Sequence, residues 1–513
     1  MSTYIRLMFL KIIRPIDNFI NGITMYRLIL YFLIFLWIEA FVLSFFKVLP
    51  FSLSQFLIST IAILLSCYLT NKLFSYIFKI PANLESVYIS VLILTFIILP
   101  AKTVSEFMFL IVAGFIAMAS KYILAINKKH IFNPVAIAVF VTSLFSLGYA
   151  TWWVGSLWTL PVILIGGLLI VKKIKRFSMV LGFITAFFAA TLSFSFINGS
   201  DLLKTIYSVL IDSPILFFSF VMLVEPLTSP TIKKMQIIYG VLVGALAGSQ
   251  FSIGPVYSTY ETALVMGNIF AFIVGFRQRL VLTLKEKIQL APDIFEFVFT
   301  PNHKFSFLPG QYLEWTLGHK YIDSRGVRRF FTIASSPTEN GIRLGVKIDP
   351  QDSSSYKKAL SNLISDKKVY AGALSGDFVL PKDKSKKLVF IAGGIGVTPF
   401  RSMAKYLLDK NEKRDIVLFY SNSKAESFVY KNIFDLAREN GIKTVYVCSH
   451  PPQGWKGRVG HIDSKMIKEE VSEFANRTYY LSGPNAMVEG YKKMLKELGV
   501  RSNKIVTDYF PGY

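Results

Sequence analysis

The chain changes texture near residue 277. Before it, long apolar runs alternate with short polar breaks; after it, the apolar runs shrink to strand length and charge becomes dense. The long runs lie near residues 27–47, 52–71, 84–100, 104–125, 132–149, 155–171, 177–197, 207–224, 235–250 and 259–276. Each approaches the roughly 20 residues that a helix needs to cross a bilayer. About ten transmembrane helices are therefore expected, behind a short N-terminal segment at 1–26. Past them, Val281–Ile288 and Ile294–Phe299 read as strands, with turn signals at Pro301-Asn302 and Pro309-Gly310. Short strands and close turns over 278–380 predict a small antiparallel β-barrel. From 384 to 513 strands alternate with helices: Leu388–Ala392 is strand, Pro399–Leu408 helix, and further strands follow at 416–420, 444–448 and 478–481. That alternation predicts an α/β doubly wound sheet.

Composition agrees with the membrane reading. Hydrophobic residues make up 53% of the 513, too many for an ordinary water-soluble chain. Positive charge falls on alternate loops: Arg6, Lys11, Arg14 and Arg27; Lys72 and Lys79; Lys121, Lys128 and Lys129; Lys172, Lys173, Lys175 and Arg176; Lys233 and Lys234; then Arg277 and Arg279. By the positive-inside rule both termini are expected in the cytoplasm of a bacterial-type cell. The net charge of +24 suits basic loops and an anionic dinucleotide, and nucleic acid is not expected as a partner. The two cysteines, Cys67 and Cys448, cannot build a four-thiolate iron–sulfur centre, and no metal site is expected. No cleavable signal peptide is evident in residues 1–26.

Four short sequences carry the chemistry. Arg329-Phe330-Phe331-Thr332 sits in a predicted strand, where a period of two puts Arg329 and Phe331 on one face. Gly393-Gly394-Ile395-Gly396-Val397-Thr398-Pro399 follows a strand and opens a helix. Glycines there let backbone approach a pyrophosphate, and the helix N-terminus supplies positive potential. Ser482-Gly483-Pro484 follows another strand, and Asp508-Tyr509-Phe510-Pro511-Gly512-Tyr513 ends the sequence. In this order and spacing they resemble the ferredoxin–NADP reductase superfamily, which moves electrons between a nicotinamide and FAD.

The resemblance implies roles. Arg329 binds the FAD pyrophosphate, Phe331 stacks on the isoalloxazine and the Thr332 hydroxyl serves flavin N5, where the family more often has Tyr and Ser. The strand through Val346 and Lys347 lines the ring, and Ser354 and Ser355 complete the pyrophosphate site, although serines there also suit simple helix capping. Gly393, Gly394, Gly396, Thr398, Pro399, Gly483 and Pro484 receive NADH or NADPH. Ser482 stands beside the nicotinamide in place of the usual Cys. Phe510 or Tyr513 covers the flavin and moves aside for nicotinamide; packing in an interface and simple fraying are the plain alternatives. Ser423 and Lys424 suit a 2′-phosphate while Glu426 argues the other way, and Arg458 is neutral between them.

The apolar half has its own motifs: Phe132-Asn133-Pro134-Val135-Ala136, Glu225-Pro226-Leu227-Thr228-Ser229-Pro230, and Ala263-Leu264-Val265-Met266-Gly267-Asn268. These are similar to the NqrB/RnfD membrane subunits of sodium-pumping NADH:quinone reductase and Rnf complexes. The Ser-Gly-Ala-Thr-like sequence that carries covalent FMN in those subunits is missing here, which leaves a non-covalent FMN or riboflavin. Asn133-Pro134 and Pro226–Pro230 either kink helices or line such a flavin site. Glu39, Asp212 and Glu225 are acids within or near apolar runs, with functional and structural readings evenly matched. One histidine, His130, lies in this half, whereas holding two haems by paired histidines takes four; no haem is therefore expected. The combined expectation is a membrane-bound NAD(P)H oxidoreductase with FAD, passing electrons through the helices to an extracytoplasmic flavoprotein. Membrane quinone is the alternative acceptor, and a transporter or anchor with a regulatory nucleotide-binding domain is the alternative class.

Overall fold

A computed structural model of the chain describes residues 23–78, 84–126, 129–276, 280–323, 327–349, 351 and 353–508. They divide into two compact units that meet in sequence between Arg277 and Gln278.

The first unit is helical. Its helices are α1 (Met25–Phe45), α2 (Leu53–Phe78), α3 (Leu84–Ile97), α4 (Val104–Ile123), α5 (Pro134–Leu144), α6 (Leu160–Ile174), α7 (Phe177–Ile197), α8 (Leu202–Ile211), α9 (Ile215–Met222), α10 (Lys233–Gly248) and α11 (Tyr260–Phe276). A helix occurs at each expected position, but ten helices of spanning length are not shown among the described residues. Among the described residues α1, α2, α4 and α7 are long and apolar enough to cross a membrane, and α8 with α9 makes a fifth only as one span bent by 57°. The shortfall has local causes. Asn133 caps α5 and Pro134 opens it where expected, but the helix stops at Leu144, just before Ser146 at φ +55°, so it holds 11 residues and rises only about 16 Å. Pro214 separates α8 from α9, whose last five residues form a π-helical turn. Apolar runs thus continue through breaks that hydropathy does not register.

Close packing in this unit rests on small residues. Gly240, Gly244 and Gly248 recur every four positions along α10, and a Cβ on each would run into the carbonyl oxygens of Met179, Phe183 and Phe187 on α7. This is the small-residue spacing that lets two helix backbones touch. Phe35, Ile61, Leu69, Ile165 and Leu181 are exposed on the outer faces.

The second unit begins with six antiparallel strands: β1 (Leu280–Ala291), β2 (Ile294–Pro301), β3 (Tyr312–Thr316), β4 (Arg328–Thr332), β5 (Ile342–Lys347) and β6 (Lys368–Ser375), with helix α12 (Ser355–Ser361) before β6. Their order is β4-β3-β6-β1-β2-β5. The sheet curls so that Ala334, just after β4, donates its N–H to the carbonyl of Arg343 on β5 at 2.8 Å. Alternate residues Ile342, Leu344 and Val346 turn into a core with Phe297, Phe299 and Trp315. That leaves Arg343, Gly345 and Lys347 on the other face of β5.

There follow β7 (Leu388–Gly393), α13 (Thr398–Asp409), β8 (Ile416–Lys424), α14 (Lys431–Leu436), β9 (Ile442–His450), β10 (Arg458–Val459), α15 (Ser464–Glu470), β11 (Thr478–Ser482), α16 (Asn485–Glu497) and β12 (Ile505–Thr507). All strands are parallel, in the order β10-β9-β8-β7-β11-β12. Strand order reverses between β7 and β11, which is where doubly wound sheets open their ligand crevice.

Candidate functional site

Strand β4 brings Arg329 and Phe331 to one buried ring, that of Tyr356, which Ser354 and Ser355 precede at the start of α12. Pairing of β4 with β3 sets Arg329 opposite Trp315 and Phe331 opposite Leu313. The Arg329 guanidinium lies 5.3 Å from the Tyr356 ring centre and the Phe331 ring 5.8 Å. Arg329 Nη2 also donates to Asp323 Oδ1 at 3.0 Å. Ser354 caps α12, accepting the Lys357 N–H at 3.3 Å. Ser355 Oγ is bonded to His319 Nε2 and accepts the Asp323 N–H, both at 3.0 Å, while its own N–H donates to Asp323 Oδ2 at 3.2 Å. His319 and Asp323 were missed by sequence reasoning. They sit in an irregular loop whose sequence carries no motif.

The donor set fits an anionic pyrophosphate. It offers a guanidinium, and two buried hydroxyls, Ser353 Oγ and Tyr356 Oη, have no hydrogen-bond partner among the described residues, while His319 is turned to the Leu317 carbonyl and Ser355. Burial pushes the Tyr356 phenol far above its ordinary pKa, so it remains a neutral donor. Thr332 is buried at the end of β4 and pairs with Tyr312. Val346 is buried; Lys347 is ion-paired with Asp293 at 2.9 Å, and its carbonyl accepts from Lys357 Nζ at 2.8 Å.

On the nucleotide side, β7 ends in the glycine turn and α13 starts at Thr398, with Pro399 in its first turn. Gly394 takes φ +54°, which glycine adopts without strain. A Cβ on Gly396 would stand 2.6 Å from the Ser482 carbonyl oxygen and 2.7 Å from Gly483 Cα. The two loops therefore touch backbone to backbone. They are brought level by the parallel register that pairs Ala392 with Ser482. Thr398 Oγ1 donates to the Ile395 carbonyl at 3.2 Å, and Pro484 precedes the first residue of α16. Ser482 Oγ donates to Asp508 Oδ2 at 3.1 Å. Asp508 belongs to the C-terminal motif but had no expected role. Phe510 and Tyr513 lie outside the described residues.

Barrel and nucleotide sheet meet within this unit at Gly345. A Cβ there would lie 2.9 Å from both Thr398 Cγ2 and Tyr430 Oη. Of the residues expected near the adenosine, Lys424 Nζ lies 3.8 Å from Glu426, and Arg458 is held by Glu469 and Glu470.

The three motifs of the helical unit converge as well. Asn133 donates its N–H to Asn268 Oδ1 at 2.8 Å and its Nδ2 to Glu225 Oε2 at 2.9 Å. Asn268 Nδ2 donates to the Thr228 carbonyl at 3.0 Å and to Tyr239 Oη at 3.2 Å. Thr228 Oγ1 donates to Glu225 Oε2 at 3.0 Å, and His130 Nε2 lies 3.4 Å from Glu225 Oε1. This clasp holds the start of α5, the loop after α9 and the middle of α11 together. Glu39 keeps one buried carboxylate oxygen without a hydrogen bond among the described residues.

Comparison with known proteins places the second unit. Residues 390–493 match the oxidoreductase NAD-binding domain. NADH-cytochrome b5 reductase 1 of Ajellomyces capsulatus is 30% identical over 36% of this chain and 62% of its own length. The flavohemoprotein of Bacillus subtilis is 24% identical over 53% of this chain and 66% of its own length. One subunit of the Na(+)-translocating NADH-quinone reductase of Neisseria meningitidis is 32% identical over 36% of this chain and 50% of its own length. This chain thus spans two thirds or less of each. The C-terminal half has the ferredoxin-reductase type of FAD- and NAD-binding fold, and its homologues are oxidoreductases.

One expectation is corrected by these relatives. The exclusion of haem does not stand, because a flavohemoprotein, a haem protein by name, is among the homologues. The histidine count ruled out only one arrangement, two haems each held by paired histidines. Haem iron is also held by a single His, a Cys or a Tyr, and counting His130 excludes none of these.

Proposed function

We propose that this chain is a membrane-bound NAD(P)H oxidoreductase that passes electrons from cytoplasmic nicotinamide to an acceptor at or beyond the membrane. The observation that carries the reading is the contact at Gly345, where the strand next to the expected flavin leaves room for the side chains of Thr398, Tyr430 and Ile395 only because position 345 has no side chain of its own. FAD supplies the conversion of a hydride into separately transferable electrons. The residues of this chain do the remainder. Arg329 and Ser355 neutralise and hydrogen-bond the pyrophosphate, with Tyr356 beneath them. Phe331 offers an aromatic face on the same side of β4 as Arg329. The glycine turn and the first turn of α13 receive the nucleotide diphosphate through backbone N–H groups. Ser482, anchored by Asp508, presents a hydroxyl beside the nicotinamide.

The helical unit is read as NqrB/RnfD-like, on its three converging motifs and the four span-length helices among its described residues. In that reading electrons leave the cytoplasm for an extracytoplasmic flavin-type acceptor. A second reading, reduction of membrane quinone, is favoured by the likeness to a subunit of an NADH-quinone reductase. Vesicles reconstituted with the reductase half outside separate the two. With NADH outside, reduction of an impermeant acceptor trapped inside supports transmembrane transfer. Quinone reduction with the trapped acceptor left oxidised supports the second. Failure to oxidise NADH with any acceptor sinks both.

A further inference from the structure

We propose that Arg401 is a positioning residue that locks the nucleotide helix α13 to the exit of the flavin strand β4, and so sets the approach of the nicotinamide to the flavin. The inference rests on the FAD and NAD(P)H reading above.

Arg401 lies one turn into α13, three residues after Thr398. Its side chain is 5% exposed and turns into the barrel rather than toward the nucleotide turn. Nη1 donates to the Ala334 carbonyl at 3.0 Å, Nη2 donates to Glu339 Oε1 at 2.8 Å, and Nη1 also bonds the second oxygen of Glu339. The next residue repeats the attachment: Ser402 Oγ donates to the Ser335 carbonyl at 2.6 Å. At the far end of the helix Thr338 Oγ1 donates to Asp409 at 2.5 Å. Ala334 and Ser335 are the second and third residues after Thr332, so the clamp grips the flavin strand almost at its functional end.

The barrel side is equally tied. Ser335 Oγ accepts the Arg343 N–H at 3.1 Å, and Glu339 accepts from Ser336 N–H at 2.6 Å. Arg343 bonds Glu296 at 2.5 Å and lies 3.3 Å from Glu339. Glu296 in turn stands opposite Gly345 in the β2–β5 register. One charge network, buried at Arg401 and Glu296 and half-buried between them, therefore runs from α13 through the β4–β5 connection to the strand that touches Thr398. Burial alone would depress the Arg401 cation, but Glu339 more than offsets this and raises its pKa. The network is also stacked: the guanidinium lies 5.6 Å from the ring of Tyr430, a buried residue held at φ +62°. A non-glycine residue in that region is strained and persists only where its surroundings over-determine it.

A buried ion pair need not add stability, since desolvation opposes the attraction. Its geometry, however, is directional. A bidentate fork fixes both distance and angle, which a lysine ammonium cannot reproduce. Misplacing reacting atoms by about 1 Å can lower a rate by roughly 10²-fold. Arg401 touches neither cofactor nor substrate by this account; it acts through the placement of Thr398 against Gly345.

The test uses the full chain in detergent with FAD added, comparing the unaltered protein with Arg401→Lys and Glu339→Gln. FAD per chain, the KM for NADH, the rate of flavin reduction and the long-wavelength charge-transfer absorbance on mixing with NADH are all read. The expected result for Arg401→Lys is FAD content and KM within about twofold of the original, flavin reduction slower by roughly tenfold, and weaker charge-transfer absorbance. Glu339→Gln keeps one oxygen for the fork and should show the same pattern at smaller amplitude. An unchanged reduction rate and unchanged absorbance in Arg401→Lys overturn the proposal. So does a fall in rate that tracks loss of FAD in both variants, which would make the clamp a matter of folding only. If the unaltered protein takes up no FAD, the reading beneath the proposal fails, and this is visible before any variant is made.

Discussion

Arg329 and Asp323 form an ion pair, Nη2 to Oδ1 at 3.0 Å, at the place where the donor set best suits a pyrophosphate. The same carboxylate accepts the Ser355 N–H at 3.2 Å. Asp323 therefore engages two of the donors that the cofactor would use, and the two anions compete. Arg329→Ala is expected to weaken FAD binding by roughly 10- to 100-fold, since a charge-assisted contact contributes about 1.5–3 kcal/mol. Asp323→Asn is expected to tighten it several-fold. Titration of the apoprotein by flavin fluorescence quenching reads both. Weaker binding in Asp323→Asn would mean that the carboxylate orients Arg329 rather than competing for it.

The turn at Gly396 has no room for a methyl group. A Cβ would press on the Ser482 carbonyl and on Gly483, both backbone, which cannot rotate away. Gly396→Ala should part the two loops, and overpacking of this kind costs about 1–3 kcal/mol. NADH affinity is expected to fall by at least tenfold while FAD content stays unchanged. Isothermal titration with NAD(H) on the FAD-loaded variant checks this; full affinity would remove the glycine turn from the nucleotide site.

Ser482 is bonded to Asp508 at 3.1 Å. Ser482→Ala deletes that bond without adding volume, and is expected to lower kcat by about 10- to 100-fold, the scale of an oriented polar group in a reaction centre, with KM for NADH little changed. Ser482→Cys should recover much of the loss, because a thiol is also a donor of similar size. Steady-state kinetics with ferricyanide would decide. Equal kcat in Ser482→Ala and the unaltered protein would reduce the contact to a structural one.

The orientation of the helical unit is open to direct labelling. Lys172 and Lys173 close α6 in its last turn, where cations also favour the helix dipole. A cysteine introduced at Lys172 is expected to be protected from an impermeant thiol reagent in whole cells and labelled after lysis. Labelling of intact cells would place the basic loops outside and contradict a cytoplasmic NAD(P)H site.

The sequence by itself determined the elements whose signals are local. The β7–glycine–α13 passage was legible because a buried strand, glycines and a proline-opened helix each carry their own signature within about twelve residues. So was the pairing of Arg329 with Phe331 on one side of β4, since strand periodicity is a property of the backbone. Helix positions in the apolar half were also readable, from hydropathy. Helix lengths were not: α5 stops at Leu144 and Pro214 breaks α8 from α9 within runs that remain apolar, so composition counted ten spans where four helices among the described residues reach spanning length. What only the tertiary structure decided are contacts between residues far apart in sequence. Asp323, in a loop without a motif, meets Ser355 across 32 positions, Arg401 reaches Glu339 across 62, and Asn133 meets Asn268 across 135. A side chain's partner at such a separation is set by how sheets curl and helices cross. That information is shared among all the residues of the core and written at none of them.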